Sequence, residues 1–159
     1  MSAIVTNLQA VRDRIAGAAS AAGRNVGDIS LLAVSKTWPA AAIREAAVAG
    51  QQAFGENYVQ EAAGKIEALS GLGLEWHFIG PLQSNKTRPV AELFDWVHSV
   101  DRAKIAERLS AQRPGGLPPL QVCVQVNISD EPSKGGCSVA EAPALCRAVA
   151  ALPRLRLRG

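Results

Sequence analysis

A lysine at the end of an apolar stretch is the residue of this sequence best suited to covalent chemistry. The apolar residues 31–34 are followed by Ser35, Lys36 and Thr37, and Pro39 then opens an alanine-rich helical pattern. This order predicts a strand, a turn and a helix, and a continuous apolar strand is typical of a parallel sheet covered on both faces. Apolar walls around the Lys36 ammonium would favour its neutral amine, which forms Schiff bases with aldehydes and ketones. A plain surface lysine at a strand end is the alternative interpretation.

Strand-like and helix-like segments alternate along the whole chain. Apolar residues at helical spacing predict an opening helix that ends near Gly23. Strands are predicted at 30–35, 52–55, 75–80, 95–100 and 120–128, with Leu155–Gly159 as the start of a sixth. Asp101 is expected to cap the helix after the fourth strand. Ser138 and Glu141 have the spacing of a capping box, although Pro143 favours a later helix start.

This alternation predicts an α/β fold with a parallel sheet in a single domain, residues 1–159. The choice lies between an open doubly wound sheet and a (β/α)₈ barrel. Neither G-x-G-x-x-G nor the P-loop pattern occurs, so the two familiar phosphate-binding motifs of open sheets are absent. Polar residues instead gather where strands end, as in a barrel active site; these are Lys36, Asn57, His77, His98 and Asn127.

Each of these polar residues also has a structural interpretation. Asn57 either bonds a ligand or caps the following helix, and His77, on the same side of its strand as Ile79, either faces a ligand or is a satisfied core histidine. His98 and the three tryptophans are interpreted as packing residues. Asn127 points into the barrel mouth or caps the loop beyond it. Cys123, within an apolar strand, is expected in the core.

Composition excludes several classes of protein. The net charge of +3 is mild, and basic and aromatic residues do not interleave, so nucleic-acid binding is not expected. No stretch approaches the roughly 20 apolar residues of a membrane span, and the N-terminus lacks the features of a signal peptide. Three cysteines without a C-x-x-C pattern predict reduced thiols in a cytoplasmic protein.

Several motifs together resemble one known family. The segment Trp76–Lys86, WHFIGPLQSNK, is similar to the signature of the pyridoxal phosphate homeostasis protein family (YggS/PROSC-like). Ala33–Thr37, Phe54–Glu61, Val126–Ile128 and Leu155–Gly159 match the same family pattern. The resemblance implies a (β/α)₈ TIM barrel of the alanine racemase-like type. It also implies pyridoxal 5′-phosphate (PLP) as cofactor, held as a Schiff base on Lys36. With that cofactor we expect Asn57 at its phenolate oxygen and His77 against its pyridine ring.

The resemblance further implies a function without catalytic turnover. Such a protein binds PLP, balances intracellular PLP (vitamin B6) and amino and keto acids, and has PLP-dependent apo-enzymes as recipients; no catalytic residue and no metal site are expected. The sequence covers about five and a half strand–helix units, so we expect a barrel truncated at the C-terminus, without the family's phosphate cradle. The alternative is a Schiff-base enzyme, either a PLP-dependent amino-acid racemase or a class I aldolase. A racemase needs a second acid/base on the opposite face of the cofactor, commonly a tyrosine. Tyr58 is the only tyrosine in the sequence, and it follows the turn after the second strand, which argues against a racemase.

Overall fold

Strands and helices alternate throughout the computed structural model, which describes residues 2–159. The helices are α1 Ala3–Ala21, α2 Ala40–Val48, α3 Val59–Ala68, α4 Thr87–Leu93, α5 Ala103–Gln112 and α6 Ala142–Ala150. The strands are β1 Ala33–Val34, β2 Ala53–Glu56, β3 Glu75–Phe78, β4 Trp96–Val100, β5 Leu120–Val124 and β6 Leu155–Leu157. Short 3₁₀ turns occupy Val26–Asp28, Ser70–Leu72 and Ser84–Lys86. The order of elements predicted from the sequence is therefore confirmed.

The six strands form one parallel sheet whose order follows the chain, β1-β2-β3-β4-β5-β6. A doubly wound sheet reverses its strand order, and this sheet does not. Because parallel crossovers share one hand, successive crossovers in one direction place all helices on one face, as in a barrel. Within residues 2–159, β1 and β6 are the edges of the sheet. The predicted barrel-type α/β fold is thus observed as an open, singly wound sheet.

Alternation along each strand separates a packed face from a helix-free face. One set of strand side chains is buried against the helices: Phe54, Trp76, Phe78, Val97, Leu120 and Val122. Apolar helix residues complete that core, among them Ile43, Ala62, Val90, Ile105, Leu109 and Val149. The intervening strand positions form the helix-free face, which carries Val34, Glu75, His77, Trp96, His98, Gln121 and Cys123. In a barrel this is the face that turns inward.

The first strand differs most from its prediction. It pairs over Ala33 and Val34 alone, and Val34 is 49% exposed, so the expectation of a long strand covered on both faces is wrong. Helices cover only the face that carries Ala33. The apolar residues 31–34 therefore do not indicate that the opposite face of β1 is also buried. The fifth strand is also shorter than predicted, because beyond Val124 the chain leaves the ladder and Val126 forms an isolated bridge with Cys137.

Three local predictions are wrong. Asp101 does not cap α5: Arg102 is the N-cap residue, and its Nη1 donates to Asp101 Oδ1 at 2.7 Å. Cys123 is half-buried outside the core, because alternation places it beside Gln121 on the helix-free face. Burial nevertheless raises the pKa of its thiol, against the opposing effect of Arg158. Trp38 is 57% exposed and is not a core residue.

The capping box before α6 is confirmed. The backbone N–H and the hydroxyl of Ser138 both donate to Glu141 Oε2 at 2.9 Å, and the Glu141 N–H donates back to Ser138 Oγ. These bonds lower the pKa of Glu141. The helix itself begins later, at Ala142, in agreement with the position of Pro143. Within residues 2–159, no helix combines the length and the hydropathy needed to cross a membrane.

Candidate functional site

Lys36 lies in a tight turn at the carboxyl end of β1. The Trp38 N–H donates to the Ser35 carbonyl at 3.1 Å, which places Lys36 and Thr37 at the centre of the turn. Thr37 has a φ of +68°, in the left-handed region that a β-branched residue rarely adopts. Such a conformation costs about 1–3 kcal/mol and persists only where its surroundings hold it in place. The contacts of this turn are therefore central to the site.

A buried polar network packs behind the turn. Glu56 is fully buried, and its Oε1 accepts from the Ser35 hydroxyl and from Lys65 Nζ, both at 2.7 Å. Lys65 Nζ also donates to the Ser35 carbonyl at 2.9 Å and to Glu61 Oε1 at 2.5 Å. The Thr37 N–H donates to the same Glu61 oxygen at 3.0 Å. We call these residues, Ser35, Glu56, Glu61 and Lys65 with the Thr37 backbone, the lysine-turn network.

The network keeps Lys65 charged. Burial alone lowers the pKa of Lys65, but its hydrogen bonds to Glu56 and Glu61, together with their negative charges, raise it by more, so it lies above its ordinary value. The Lys65 ammonium has three donors, and all three are used. The hydrogen bond from Lys65, followed by that from the Thr37 backbone, lowers the pKa of Glu61. Lys65 is thus a paired ammonium and a poor nucleophile.

Lys36 has the opposite surroundings. Its side chain is exposed and makes no hydrogen bond or ion pair with any residue in 2–159. Ser35 faces the helices, so alternation places Lys36 on the helix-free face with Val34. The expected apolar walls around the Lys36 ammonium are therefore wrong for this structure, which has the exposed lysine of the alternative interpretation.

Asn57 follows β2 directly, and Lys36 follows β1, the strand beside it. The register pairs Val34 with Gly55 in parallel, so Lys36 and Asn57 lie in loops that leave the same end of two adjacent strands. Asn57 is half-buried and does not cap α3, whose N-cap is Tyr58. A Cβ at Gly80 would lie 2.6 Å from the Asn57 carbonyl oxygen, so only glycine permits this close approach of the loops after β2 and β3.

His77 lies one side-chain layer below Lys36, because β2–β3 pairing aligns it with Gly55. It is buried, and both of its ring nitrogens are bonded: Nε2 to Glu75 Oε1 at 2.7 Å and Nδ1 to His98 Nε2 at 2.8 Å. Its ring stacks on Trp96 with a centroid distance of 5.2 Å and an interplanar angle of 11°. We call Glu75, His77, His98 and Trp96 the histidine chain.

The direction of hydrogen bonding in the histidine chain follows from its acidic end. The Glu75 carboxylate accepts, so a neutral His77 donates through Nε2–H and accepts at Nδ1 from the Nε2–H of His98. His98 Nδ1 is then the end of the chain. Burial lowers the pKa of His98, and a positive charge on His77, when that ring is protonated, lowers it further. His98 is therefore more than the packing residue expected from the sequence.

Two polar candidates remain, Asn127 and Tyr58. Asn127 caps its own loop: its Nδ2 donates to the Glu131 carbonyl at 2.9 Å and its Oδ1 accepts the Glu131 N–H at 3.1 Å. Tyr58 is 62% exposed at the start of α3. Among residues 2–159, no group of three or more His, Cys, Asp or Glu side chains is arranged to hold a metal ion.

The lysine-turn network was not predicted from the sequence, although two signals for it were present. Glu61 and Lys65 have the i, i+4 spacing of a helical ion pair. Glu56 lies two residues after Phe54 and therefore on the same, buried face of β2. A carboxylate at such a position needs a cation as partner. The contact with Ser35 spans 30 residues of sequence and has no local signature.

Comparison with known proteins agrees with this geometry. Residues 6–159 match the family described as alanine racemase, N-terminal domain. The pyridoxal phosphate homeostasis protein of Pseudomonas aeruginosa PAO1 is 64% identical over 159 residues, which are all of this chain and 69% of that protein. The protein of the same name from Escherichia coli K12 is 61% identical over 162 residues, again covering the whole chain and 69% of the relative.

Solved structures show the same relationship. PipY of Synechococcus elongatus PCC7942, solved with PLP bound, has a TM-score of 0.76 at 42% identity, over 91% of this chain and 68% of PipY. Alanine racemase from Corynebacterium glutamicum has a TM-score of 0.68 at 16% identity, over 98% of this chain and 42% of the racemase, which shows a shared fold. With these similarities, the chain belongs to the pyridoxal phosphate homeostasis protein family, built on the alanine racemase N-terminal fold.

Proposed function

We propose that this chain binds PLP through a Schiff base on Lys36 and holds it reversibly for PLP homeostasis, without catalytic turnover. The observation that carries the proposal is the contrast between two lysines at one strand end. Lys36 is exposed and unpaired within residues 2–159, whereas Lys65, behind the same turn, uses all its donors. The PLP-bound structure of the relative PipY and the names of the curated relatives support the choice of ligand.

The residues at this strand end fit the chemistry of PLP. PLP supplies a reactive aldehyde, to which an unprotonated amine adds reversibly. With PLP bound, Lys36 would hold it through a C=N bond in place of the aldehyde C=O, the oxygen being released as water. Hydrolysis would return the aldehyde and the free amine, so one lysine would serve both capture and release.

We assign supporting roles to the two other candidate residues. Asn57, which follows β2 and has no helix-capping role, would donate its side-chain N–H to the phenolate oxygen of bound PLP. His77 has both ring nitrogens occupied, so it would contact the pyridine ring by packing alone. Trp96, which stacks on His77, would fix the orientation of the His77 ring.

A role in holding PLP, and not in turnover, agrees with the surroundings of Lys36. Racemisation needs a second acid/base across the cofactor from the lysine. The sole tyrosine, Tyr58, is exposed at the start of α3, and the curated relatives are named for homeostasis, not for a reaction. We infer that the held PLP is passed to PLP-dependent apo-enzymes in the cytoplasm.

The proposal is tested by trapping the adduct. The purified chain is mixed with PLP, reduced with borohydride, and mapped by peptide mass spectrometry, beside Lys36→Ala and the matched loop variant Lys134→Ala. We expect one dominant adduct at Lys36, lost in Lys36→Ala and retained in Lys134→Ala. Labelling spread evenly over the lysines, or unchanged in Lys36→Ala, would contradict the proposal. Trapping of a carbonyl substrate on Lys36 with no PLP present would favour the aldolase alternative.

A further inference from the structure

We propose that Glu61, together with Lys65, is a positioning residue for Lys36: it fixes the turn that directs the lysine to the helix-free face. This inference rests on the proposed function and extends it to residues that do not contact PLP. The Lys36 side chain has no partner in residues 2–159, so its orientation is set by its backbone alone. What holds that backbone therefore controls where the amine lies.

Both peptide groups that flank Lys36 are anchored to α3. On the N-terminal side, the Ser35 carbonyl accepts from Lys65 Nζ at 2.9 Å. On the C-terminal side, the Thr37 N–H donates to Glu61 Oε1 at 3.0 Å. The same Glu61 oxygen accepts from Lys65, so the two anchors are joined. A single helix thus holds the turn at two points, one residue to each side of Lys36.

The turn needs these anchors because the backbone of Thr37 has a left-handed conformation. A β-branched residue at a φ of +68° returns to extended or right-handed backbone when it is released. Either change rotates the peptide between Lys36 and Thr37 and redirects the Lys36 side chain. The Glu61 carboxylate is the only side-chain acceptor that the Thr37 N–H has in residues 2–159.

Glu61 is also the member of the network that can be changed most cleanly. Its side chain is 38% exposed, against 8% for Lys65 and 0% for Glu56. Removal of Glu61 leaves Lys65 paired with Glu56 and leaves no buried charge without a partner. Glu67, exposed on the same helix and outside the network, is a matched control.

The experiment compares Glu61→Ala, Glu61→Gln and Glu67→Ala with the unchanged chain. The rate of PLP adduct formation at Lys36 is measured relative to Lys134 in the same molecules, and amide hydrogen exchange is followed at Thr37. We expect Glu61→Ala to lower relative Lys36 labelling about fivefold, the effect of one lost hydrogen bond, and to speed Thr37 exchange. Glu61→Gln restores labelling substantially, because its amide oxygen still accepts from Thr37, and Glu67→Ala has no effect.

The outcomes separate this inference from the proposed function. Preferential Lys36 labelling in the unchanged chain, kept at the same rate in Glu61→Ala, overturns the positioning role and leaves the proposed function standing. An unchanged rate of Thr37 amide exchange in Glu61→Ala overturns the positioning role by itself, whatever the extent of PLP labelling at Lys36. Absence of preferential Lys36 labelling in the unchanged chain contradicts the proposed function and this inference together.

Discussion

The two faces of the sheet hold two polar networks of different character. The lysine-turn network lies on the helix-covered face, where Glu56 is fully buried and Lys65 nearly so, and every ammonium donor is paired. The histidine chain lies on the helix-free face, where it begins at the half-exposed Glu75 carboxylate and ends at His98 Nδ1. The first network holds a backbone turn, and we call it closed because no Lys65 donor is free, although the buried Glu56 Oε2 has no hydrogen-bond partner in residues 2–159. The second network has an open end.

This difference shows where reactivity can arise in the fold. A buried charge is costly unless an opposite charge pairs with it, and an ammonium whose donors are all paired is not available for reaction. Lys65 illustrates that outcome, since the carboxylates that keep it charged also occupy its donors. Lys36 lies outside that network, and no carboxylate in residues 2–159 pairs with its amine. The fold thus uses one lysine as structure and leaves the other available.

The largest effect is expected from breaking the closed network. Lys65→Met leaves the buried Glu56 carboxylate without its cation, which we expect to lower the free energy of unfolding by about 3–5 kcal/mol. Urea unfolding of the variant and the unchanged chain measures this difference. Lys65→Met combined with Glu56→Gln removes both charges and should recover part of the loss. A cost of only about 1 kcal/mol, typical of an exposed pair, would show that the network is not a buried one.

The smallest effect is expected from the open network, as a dependence of stability on pH. The pKa of His98 is lowered in the folded chain, whereas an unfolded histidine titrates near 6.5. Between these two pKa values the unfolded chain binds a proton that the folded chain does not. Stability is therefore complete above pH 6.5 and falls as the pH drops towards the folded pKa, by an amount that solvent screening reduces because His98 is only half-buried.

The control for this prediction is His98→Gln, which removes the titrating ring. Unfolding of both chains is followed from pH 7.5 to pH 5, with the acidic groups Glu75 and Asp95 present in each. We expect a shallower decline of stability in the variant than in the unchanged chain. Parallel curves would assign the decline to groups other than His98.

Much of the fold was predictable because its signals are local. Turn-forming glycines and apolar periodicity mark every helix and strand, and the spacing of Ser138 and Glu141 identifies a capping box that is present. Strand lengths were less predictable, since apolar residues such as Leu31 and Leu32 extend the pattern beyond the two residues that pair in β1. Apolarity alone also does not reveal which face of a strand is covered, as exposed Val34 shows.

The candidate site was predictable in part. The order of residues placed Lys36 and Asn57 at strand ends, and His77 lies in β3. The contacts of His77 with His98 and of Lys65 with Ser35 join residues 21 and 30 positions apart, and depend on strand register and helix docking. Neither the strand register nor the docking of the helices can be read from a short stretch of sequence. The exposure of Lys36 likewise follows from the arrangement of the whole sheet.

The most direct test of the account is the ratio of PLP adducts at Lys36 and Lys65 after borohydride reduction, measured in the native chain and again in denaturing urea. We predict that the native chain carries its PLP adduct at Lys36 and that Lys65 is unmodified. In urea the network is lost, and the two lysines should then react at similar rates. A ratio that is the same in both conditions would contradict the central claim that the fold, by pairing one lysine and exposing the other, selects Lys36.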